Sequence, residues 1–164
     1  WLKCRTPQNI VIGGAAGAFP PMIGWAAVTG DVSIGGIALF ALIFMWTPPH
    51  FWALALYKCE DYERAGVPML PVVSGVLETK RQIFLYTLIL LPVSLVPWWV
   101  STASVLWCAL AAVMGFVFIV FAATLWFDDT CRAPRRLFRF SLVYLSVLFA
   151  ALIVDSLVVQ AMAA

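Results

Sequence analysis

Long apolar stretches separated by short polar segments run along the whole chain. Five of them are long enough to cross the apolar core of a bilayer at a helical rise of about 1.5 Å per residue. We expect these helices at residues 11–28, 32–57, 83–100, 103–127 and 140–160. The pattern predicts an all-α fold, a polytopic transmembrane helical bundle that forms a single membrane domain over residues 1–164.

Composition points to the same class of protein. Of the 164 residues, 64% are hydrophobic and 11% are charged. A soluble domain of this length cannot bury so much apolar surface. We therefore expect an integral membrane protein with the lipid bilayer among its partners. The polar, basic start of the chain does not resemble a signal peptide. The four cysteines show no metal-ligand spacing, and nothing indicates a nucleic-acid partner.

Two of the spans carry features that a simple apolar helix lacks. The first is rich in small residues between Gly13 and Ala18, which predicts a buried helix packed tightly against its neighbours. The pairs Pro20-Pro21 and Pro48-Pro49 remove backbone donors, so we expect both helices to kink or break there. Irregular backbone at this depth is tolerated where it is buried in protein or lines a cavity.

The positive charges indicate an orientation in the membrane. Five alternating spans place all ten basic residues on one side, and the turns near residues 29–31 and 101–102 carry none. By the positive-inside rule this face is cytoplasmic, and the compact loops favour a bacterial inner membrane over a mitochondrial one. The basic residues are Lys3, Arg5, Lys58, Arg64, Lys80, Arg81, Arg132, Arg135, Arg136 and Arg139.

The connection between the second and third spans, residues 58–82, is the long one. Glu60 and Asp61 stand there among basic residues, just after a helix that carries His50, the only histidine. A solvated loop of mixed charge is one interpretation. The other is a site for Mg²⁺ and a diphosphate, because carboxylates hold this cation while Lys and Arg neutralise phosphate charge. The stiff apolar stretch from Gly66 to Pro71 favours the second interpretation.

Several short motifs resemble those of the protoheme IX farnesyltransferases (haem O synthases), a family within the UbiA superfamily of intramembrane prenyltransferases. The resemblance covers essentially the whole chain, and its most specific part is the string that runs from Asp61-Tyr62 to Pro71. The matching residues are Lys3, Arg5-Thr6, Asn9 to Gly14, Gly17-Ala18, Pro20-Pro21, Gly24-Trp25, Pro49-His50-Phe51, Asp61-Tyr62 and Ala65 to Pro71.

This resemblance implies a fold of nine transmembrane helices around a central cavity, of which the present five match the last five. It also implies farnesyl diphosphate and protohaem IX (haem b) as substrates, Mg²⁺ as cofactor and haem O as product. We then expect the active site on the cytoplasmic face, and an association with the assembly of haem–copper oxidases becomes a further expectation.

The resemblance also suggests roles for individual residues. Asp61 is the expected metal ligand, with Glu60 as a second candidate, and Tyr62 is expected to contact substrate. Four basic residues become candidates to hold the diphosphate, although anchoring of the membrane topology explains them equally simply. We expect a catalytic role for Lys3 and Lys80 and a substrate-binding role for Arg5 and Arg81.

His50 is the residue that we expect to contact haem. It lies seven residues before Tyr57, roughly 10 Å below the basic face, and an intramembrane imidazole is suited to axial ligation of iron. A hydrogen bond to the carbonyls freed by Pro48-Pro49 is the rival interpretation. Aromatic side chains nearby could line a cavity for the prenyl chain or the porphyrin, or simply pack between helices: Trp46, Phe51, Trp52 and Tyr57.

Some features depart from the family pattern and leave alternatives open. The first acidic motif of the superfamily has no counterpart here, so we expect the present chain alone to be inactive. The second motif offers Glu60, Asp61 and Glu63 instead of two aspartates four apart, and Cys4 stands where a basic residue is expected. Arg132, Arg135, Arg136 and Arg139 could meet haem propionates or anionic lipid. The other functions considered are a prenyltransferase acting on a quinone precursor, a non-catalytic haem-binding subunit and a transporter.

Overall fold

The computed structural model describes residues 9–128 and 132–163, and every regular element within these ranges is a helix. Five helices are long and two are short. In chain order they are α1 (Asn9–Thr29), α2 (Ile34–Tyr57), α3 (Cys59–Arg64), α4 (Leu70–Val73), α5 (Gly75–Trp99), α6 (Val105–Thr124) and α7 (Arg132–Ala163).

The five long helices confirm the predicted number of membrane spans. Two of them begin earlier than expected: α5 starts at Gly75 rather than at residue 83, and α7 starts at Arg132 rather than at residue 140. Hydropathy marks only the apolar part of a helix, whereas here the charged first turns are helical as well. Lys80 and Arg81 therefore lie within α5, and the prediction that the connection between the second and third spans extends over them to residue 82 is wrong.

The two proline pairs do not interrupt their helices. α1 continues through Pro20-Pro21 and α2 continues through Pro48-Pro49, so the predicted break is wrong. Proline has a fixed φ close to the helical value, and its main cost is one lost hydrogen bond to the carbonyl four residues earlier. In α2 both prolines are buried, and the neighbouring helices that cover them hold the backbone in place.

The central element of the bundle is α2. It packs against α1, α5 and α7, while α6 lies against α5 and α7. Half of the α2 span is buried, and its largest fully buried side chains are Trp52 and Leu42. Residues of α2 therefore have neighbours on several sides, which makes this helix the best position in the chain for a fixed side chain.

The first helix, in contrast, is mostly exposed. Only 11% of the α1 span is buried, so the prediction of a buried first span is wrong for this chain. A Cβ added at Gly14 would lie 2.9 Å from Thr47 Cγ2, whereas one added at Gly13 or Gly17 would have nothing within 4 Å. Small residues suit both a close helix contact and an open space, and the sequence pattern does not distinguish these two uses.

At the end of the bundle away from the basic residues, hydrogen bonds join α6 to α7. Asp155 Oδ2 accepts from the backbone N–H of Ser104 at 2.7 Å, and the Ser104 hydroxyl accepts from Trp107 N at 3.4 Å and caps α6. Trp107 Nε1 donates to Leu148 O at 2.9 Å. These bonds hold the start of α6 on α7 and give Asp155 a structural role that the sequence pattern did not indicate.

Candidate functional site

The charged segment, residues 58–64, forms the short helix α3 directly after α2. Asp61 Oδ2 lies 2.8 Å from Lys58 Nζ, and Glu60 Oε2 lies 3.6 Å from Arg64 Nη2. All four side chains are more than half exposed, from 52% for Lys58 to 87% for Glu60. Each carboxylate expected to bind metal thus has a basic partner about one helical turn away.

These contacts change the ionisation of the charged segment. The hydrogen bond from Lys58, and then its positive charge, lower the pKa of Asp61 below the ordinary value of 3.8. The same bond and the charge of Asp61 raise the pKa of Lys58. Burial, followed by the charges of Glu63 and Glu60, raises the pKa of the Cys59 thiol. At neutral pH Asp61 is therefore ionised, which is the form that binds a cation.

The chain after α3 folds back onto the bundle. Gly66 has φ 64°, a left-handed conformation that glycine adopts without strain, and the N–H of Val67 donates to Tyr62 O at 3.1 Å. Met69 and Leu70 are then buried, at 3% and 5% exposure. The packing of this turn on the bundle agrees with the prediction of a stiff stretch from Gly66 to Pro71. The turn also holds Tyr62 beside the bundle.

The basic candidates for a diphosphate site are spread over several elements. Lys80 lies in the second turn of α5 and is buried, with 8% of its surface exposed. Arg81 is exposed, and its Nη1 lies 3.8 Å from Glu78 Oε2. Lys3 and Arg5 lie outside the described residues. The role of these four side chains in holding a diphosphate stays a prediction.

A complete metal site is not formed by the side chains that the structure describes. Within residues 9–128 and 132–163 there is no group of three or more His, Cys, Asp or Glu side chains that could hold a metal ion. Mg²⁺ usually takes only one or two protein carboxylates and completes its shell with substrate phosphates and water. The oxygen donors of Asp61 and Glu60 fit such a shared site, and their metal-binding role stays a prediction.

His50 lies in the interior of the bundle, about two helical turns before the charged segment. The residue is 7% exposed, and its ring lies between the ring of Trp46, 4.3 Å away and tilted by 18°, and that of Phe138, 4.7 Å away and tilted by 25°. Phe51 meets the imidazole edge-on at 5.1 Å. Both faces of the imidazole are thus covered, which leaves no room for a ligand to stack on this ring.

The hydrogen bond of His50 goes to α7. Its Nδ1 lies 2.6 Å from Ser141 Oγ, which itself donates to Phe138 O at 2.7 Å. Trp46 Nε1 donates to Ser141 O at 2.9 Å. The rival interpretation, in which His50 bonds to carbonyls freed by the proline pair, is therefore wrong, because the side chain extends across the α2–α7 interface to another helix.

A row of aromatic rings connects His50 with the charged end of the bundle. Phe138 also contacts Tyr57 at 5.9 Å, and the guanidinium carbon of Arg135 lies 5.5 Å from the centre of the Tyr57 ring. The end of α2 and the start of α7 therefore lie at the same end of the bundle, as the charge distribution predicts. A contact between haem propionates and the α7 arginines stays a prediction; the four line a hollow of about 230 Å³: Arg132, Arg135, Arg136 and Arg139.

Two adjoining cavities lie beside α1. The larger, about 350 Å³, is lined by Gly17 of α1 and by Trp46 and Phe51 of α2. The smaller, about 170 Å³, includes Tyr62 and Phe51, and both reach Asn9. The structure thus brings three of the expected substrate contacts to one side of α2.

The other two aromatic candidates lie elsewhere. Trp52 is fully buried in the core, where its ring meets Tyr86 edge-on at 5.2 Å. Tyr57 borders a surface depression of about 400 Å³ together with Lys58 and Asp61. Helix packing is therefore the correct interpretation for Trp52, whereas Tyr57 lies where the ring row meets the charged segment.

Three residues of the site were missed by the sequence analysis. Ser141 and Phe138 complete the surroundings of His50, and Asn9 is buried where the two cavities meet. A polar residue such as Asn9 at the start of a small-residue helix is a signal that could have been used. Ser141 and Phe138 carried no such signal, because they are distant from His50 in the sequence and are common residue types in a membrane helix.

Comparisons with known proteins show which family the chain resembles. The chain matches the UbiA prenyltransferase family over residues 1–153. It is 57% identical to a protoheme IX farnesyltransferase of Parvibaculum lavamentivorans over 96% of the chain and 51% of the relative. It is 51% identical to one of Brucella anthropi, over 100% and 54%, and 52% identical to one of Novosphingobium aromaticivorans, over 96% and 53%.

The chain spans about half the length of the curated relatives that it matches. No solved structure matches it at a significant level. The family match nevertheless covers most of the chain and agrees with five membrane-spanning helices. The chain is an integral membrane protein that belongs to the UbiA prenyltransferase family.

Proposed function

We propose that the full-length protein transfers a farnesyl group from farnesyl diphosphate to a vinyl group of protohaem IX, giving haem O. The observation that carries this proposal is the position of His50, a buried imidazole about two turns below a charged segment, whose ring neighbours Trp46 and Phe51 line an apolar cavity. A porphyrin iron gives such an imidazole a partner. The names of the relatives, protoheme IX farnesyltransferase, support the same substrates.

The charged segment is suited to the diphosphate end of the donor. Asp61, ionised and at the polar edge of the bundle, would share Mg²⁺ with the phosphate oxygens, together with Glu60. When bound, the cation would neutralise negative charge on the leaving diphosphate. Lys58 and Arg64, which now pair with these carboxylates, would be released to bind phosphate oxygens directly. Binding of the substrate therefore exchanges ion-pair partners instead of burying new charges.

The aromatic cavity is suited to the prenyl chain. Trp46 and Phe51 offer apolar surface, and Gly17 leaves room on the side of α1. Tyr62 lines the adjoining cavity at the charged end, where the allylic carbon would lie next to the diphosphate. The C–O bond to diphosphate breaks there, a C–C bond forms to the vinyl carbon, and water supplies a hydroxyl group while one proton is released. A covered site protects the allylic cation from premature attack by water.

The imidazole positions the acceptor. Both faces of the His50 ring are occupied, so the porphyrin would be coordinated through a ring nitrogen and would not stack on the imidazole. A porphyrin tethered in this way keeps its vinyl group at a fixed distance from the cavity, which favours reaction by restricting orientation. A quinone precursor, the acceptor in the competing proposal, has no atom that requires an imidazole ligand.

The same proposal includes the setting of the enzyme. By the positive-inside rule, the basic residues at one end of the bundle support an orientation in which the charged segment faces the cytoplasm of a bacterium with this protein in its inner membrane. Association with haem–copper oxidase assembly, which the family resemblance suggests, belongs to the proposal as well.

Purified full-length protein, incubated with haem b, farnesyl diphosphate and Mg²⁺, tests the function. The expected product is a haem with the mass of the hydroxyethylfarnesyl derivative, detected by liquid chromatography and mass spectrometry. A parallel incubation replaces haem by an aromatic quinone precursor. Prenylation of the aromatic acceptor with no haem product would contradict the proposal, and so would haem turnover that does not depend on the prenyl diphosphate.

A further inference from the structure

We propose that Ser141 is a positioning residue that fixes the tautomer and the orientation of His50, so that Nε2 presents its lone pair to the haem iron. This inference rests on the proposed function, because it needs haem as the ligand of His50. It adds a residue on α7 that neither the sequence pattern nor the family comparison assigns to the site.

The hydrogen-bond geometry assigns the proton. A serine hydroxyl has one hydrogen to donate, and the hydrogen of Ser141 is used for Phe138 O at 2.7 Å. We therefore take the Ser141 oxygen as the acceptor of the bond to the neighbour at 2.6 Å, His50 Nδ1. In the neutral imidazole only one ring nitrogen carries a hydrogen. A proton on Nδ1 leaves Nε2 with a free lone pair, which is what coordination of a metal requires.

The orientation of the ring is fixed by the same residue. The backbone oxygen of Ser141 accepts from Trp46 Nε1 at 2.9 Å, and Trp46 stacks on one face of the imidazole. The backbone oxygen of Phe138 accepts the hydrogen bond of the Ser141 hydroxyl, and the Phe138 ring stacks on the other face of the imidazole. One residue of α7 thus holds the Nδ1 edge of His50 directly and is bonded to the residues that cover both faces. Metal-binding histidines commonly have such a partner on the second ring nitrogen, and it raises the basicity of the ligand.

A purely structural hydrogen bond between α2 and α7 is the competing explanation. It would make Ser141 important for stability and would leave the coordination of iron unchanged. The two explanations are separated by the spectrum of the bound haem, which reports the axial ligand and is insensitive to a uniform loss of stability.

The experiment compares full-length wild type with the variants Ser141→Ala, Ser141→Thr and Ser94→Ala. Ser94 is a matched control, since it is also fully buried and its hydroxyl donates to the carbonyl three residues earlier, Leu91 O, at 2.7 Å. Haem affinity is measured by titration, and the iron–imidazole stretching band of reduced haem is measured by resonance Raman spectroscopy.

The expected result is that Ser141→Ala weakens haem binding by about 10–100-fold and shifts or removes the iron–imidazole band. Ser141→Thr, which keeps the hydroxyl, restores the band, and Ser94→Ala leaves it unchanged. An unaltered band and affinity in Ser141→Ala would overturn the inference while leaving the proposed function in place. A band that also survives His50→Ala, or a wild type that binds no haem, would overturn the haem-ligand role and the inference with it.

A second measurement does not depend on the folding of a variant. In haem-free wild-type protein with ¹⁵N-labelled histidine, the signal of His50, assigned by its absence from His50→Ala, should show a protonated Nδ1 and an unprotonated Nε2. A proton on Nε2 would contradict the inference directly.

Discussion

The charged segment and the surroundings of His50 lie about two helical turns apart and differ in almost every physical respect. Asp61 and Glu60 are exposed and already paired with Lys58 and Arg64. His50 is buried, hydrogen-bonded at one edge and covered on both faces. The first region can exchange its partners at little cost because water screens exposed ion pairs. The second is fixed before any ligand arrives.

Under the proposed function, this difference corresponds to the different needs of the two substrates. A diphosphate brings charge and metal of its own, so the protein needs mobile, exchangeable charges at the polar edge. A porphyrin is large and rigid, and its reacting vinyl group must be held in place, so the protein needs a fixed anchor within the bundle. The predictions below test whether the two regions have these separate tasks.

The largest effect is expected from Asp61→Asn in the full-length protein. The change removes the charge that would hold the cation next to the diphosphate and should lower the rate of haem O formation by on the order of 100-fold or more. The rate is measured with saturating haem and increasing Mg²⁺. Asp31→Asn is a suitable control, because Asp31 is also exposed but lies at the opposite end of the bundle. A normal rate in Asp61→Asn would remove this residue from the site.

Gly17→Leu tests the cavity between the two regions. A side chain at Gly17 meets no atom within 4 Å of its Cβ and would extend into the 350 Å³ cavity. We expect the KM for farnesyl diphosphate to rise roughly tenfold, with unchanged haem affinity. The matched control is Gly24→Leu on the same helix, which also has open space around it and does not line the cavity. Equal behaviour of the two variants would show that the prenyl chain binds elsewhere.

A smaller effect is expected from Trp46→Phe. The variant keeps an aromatic ring on His50 and loses the Nε1 hydrogen bond to Ser141 O, which should cost about 1 kcal/mol of unfolding free energy. Trp52→Phe is the comparison, because the buried Nε1 of Trp52 has no hydrogen-bond partner among residues 9–128 and 132–163. Reversible unfolding in mixed micelles measures both. The free energy of unfolding should fall more in Trp46→Phe than in Trp52→Phe, and the opposite order would contradict the role given to the Trp46 hydrogen bond.

The smallest effect is a shift in pH dependence caused by Lys58→Gln. Lys58 lowers the pKa of Asp61 through a hydrogen bond and its charge, so the activity that needs ionised Asp61 should persist as the pH falls and be lost only near that lowered pKa. Without Lys58 the pKa of Asp61 returns towards its ordinary value, and the acidic limb of the pH–rate profile moves to higher pH. Arg64→Gln should move it less, because the charge of Arg64 is the smallest cause of the shift. A limb that moves to lower pH, or moves more in Arg64→Gln, would contradict this assignment.

Much of the fold followed from local properties of the sequence. The number of spans depends on the lengths of apolar stretches, and the common side of the basic residues depends on alternation, so neither needed knowledge of packing. The predicted starts of α5 and α7 were too late, since these helices begin at Gly75 and Arg132. A helix continues into charged turns that hydropathy assigns to loops. The continuity of α2 through Pro48-Pro49 depends on cover from neighbouring helices, which no local pattern contains.

The same distinction between local sequence properties and helix packing applies to the candidate site. Asp61 and His50 were proposed as site residues from residue type and context, since carboxylates and a lone imidazole in an apolar chain are rare, and their roles stay predictions. The pairing of Asp61 with Lys58 follows from a spacing of three on a helix, and α3 was not predicted. The contact between His50 and Ser141 joins residues 91 positions apart. Such a contact is set by the way α2 and α7 pack and has no signature in either segment.

The most direct test of the two-region account measures both substrates in both variants. Binding of haem is followed by its absorption band, and binding of farnesyl diphosphate with Mg²⁺ is followed by calorimetry, in full-length Asp61→Asn and His50→Ala. The account predicts that Asp61→Asn loses Mg²⁺-dependent diphosphate binding and keeps the haem band, whereas His50→Ala loses the haem band and keeps diphosphate binding. If each variant lost both ligands, or if neither lost any, the separation of tasks between the charged segment and His50 would be contradicted.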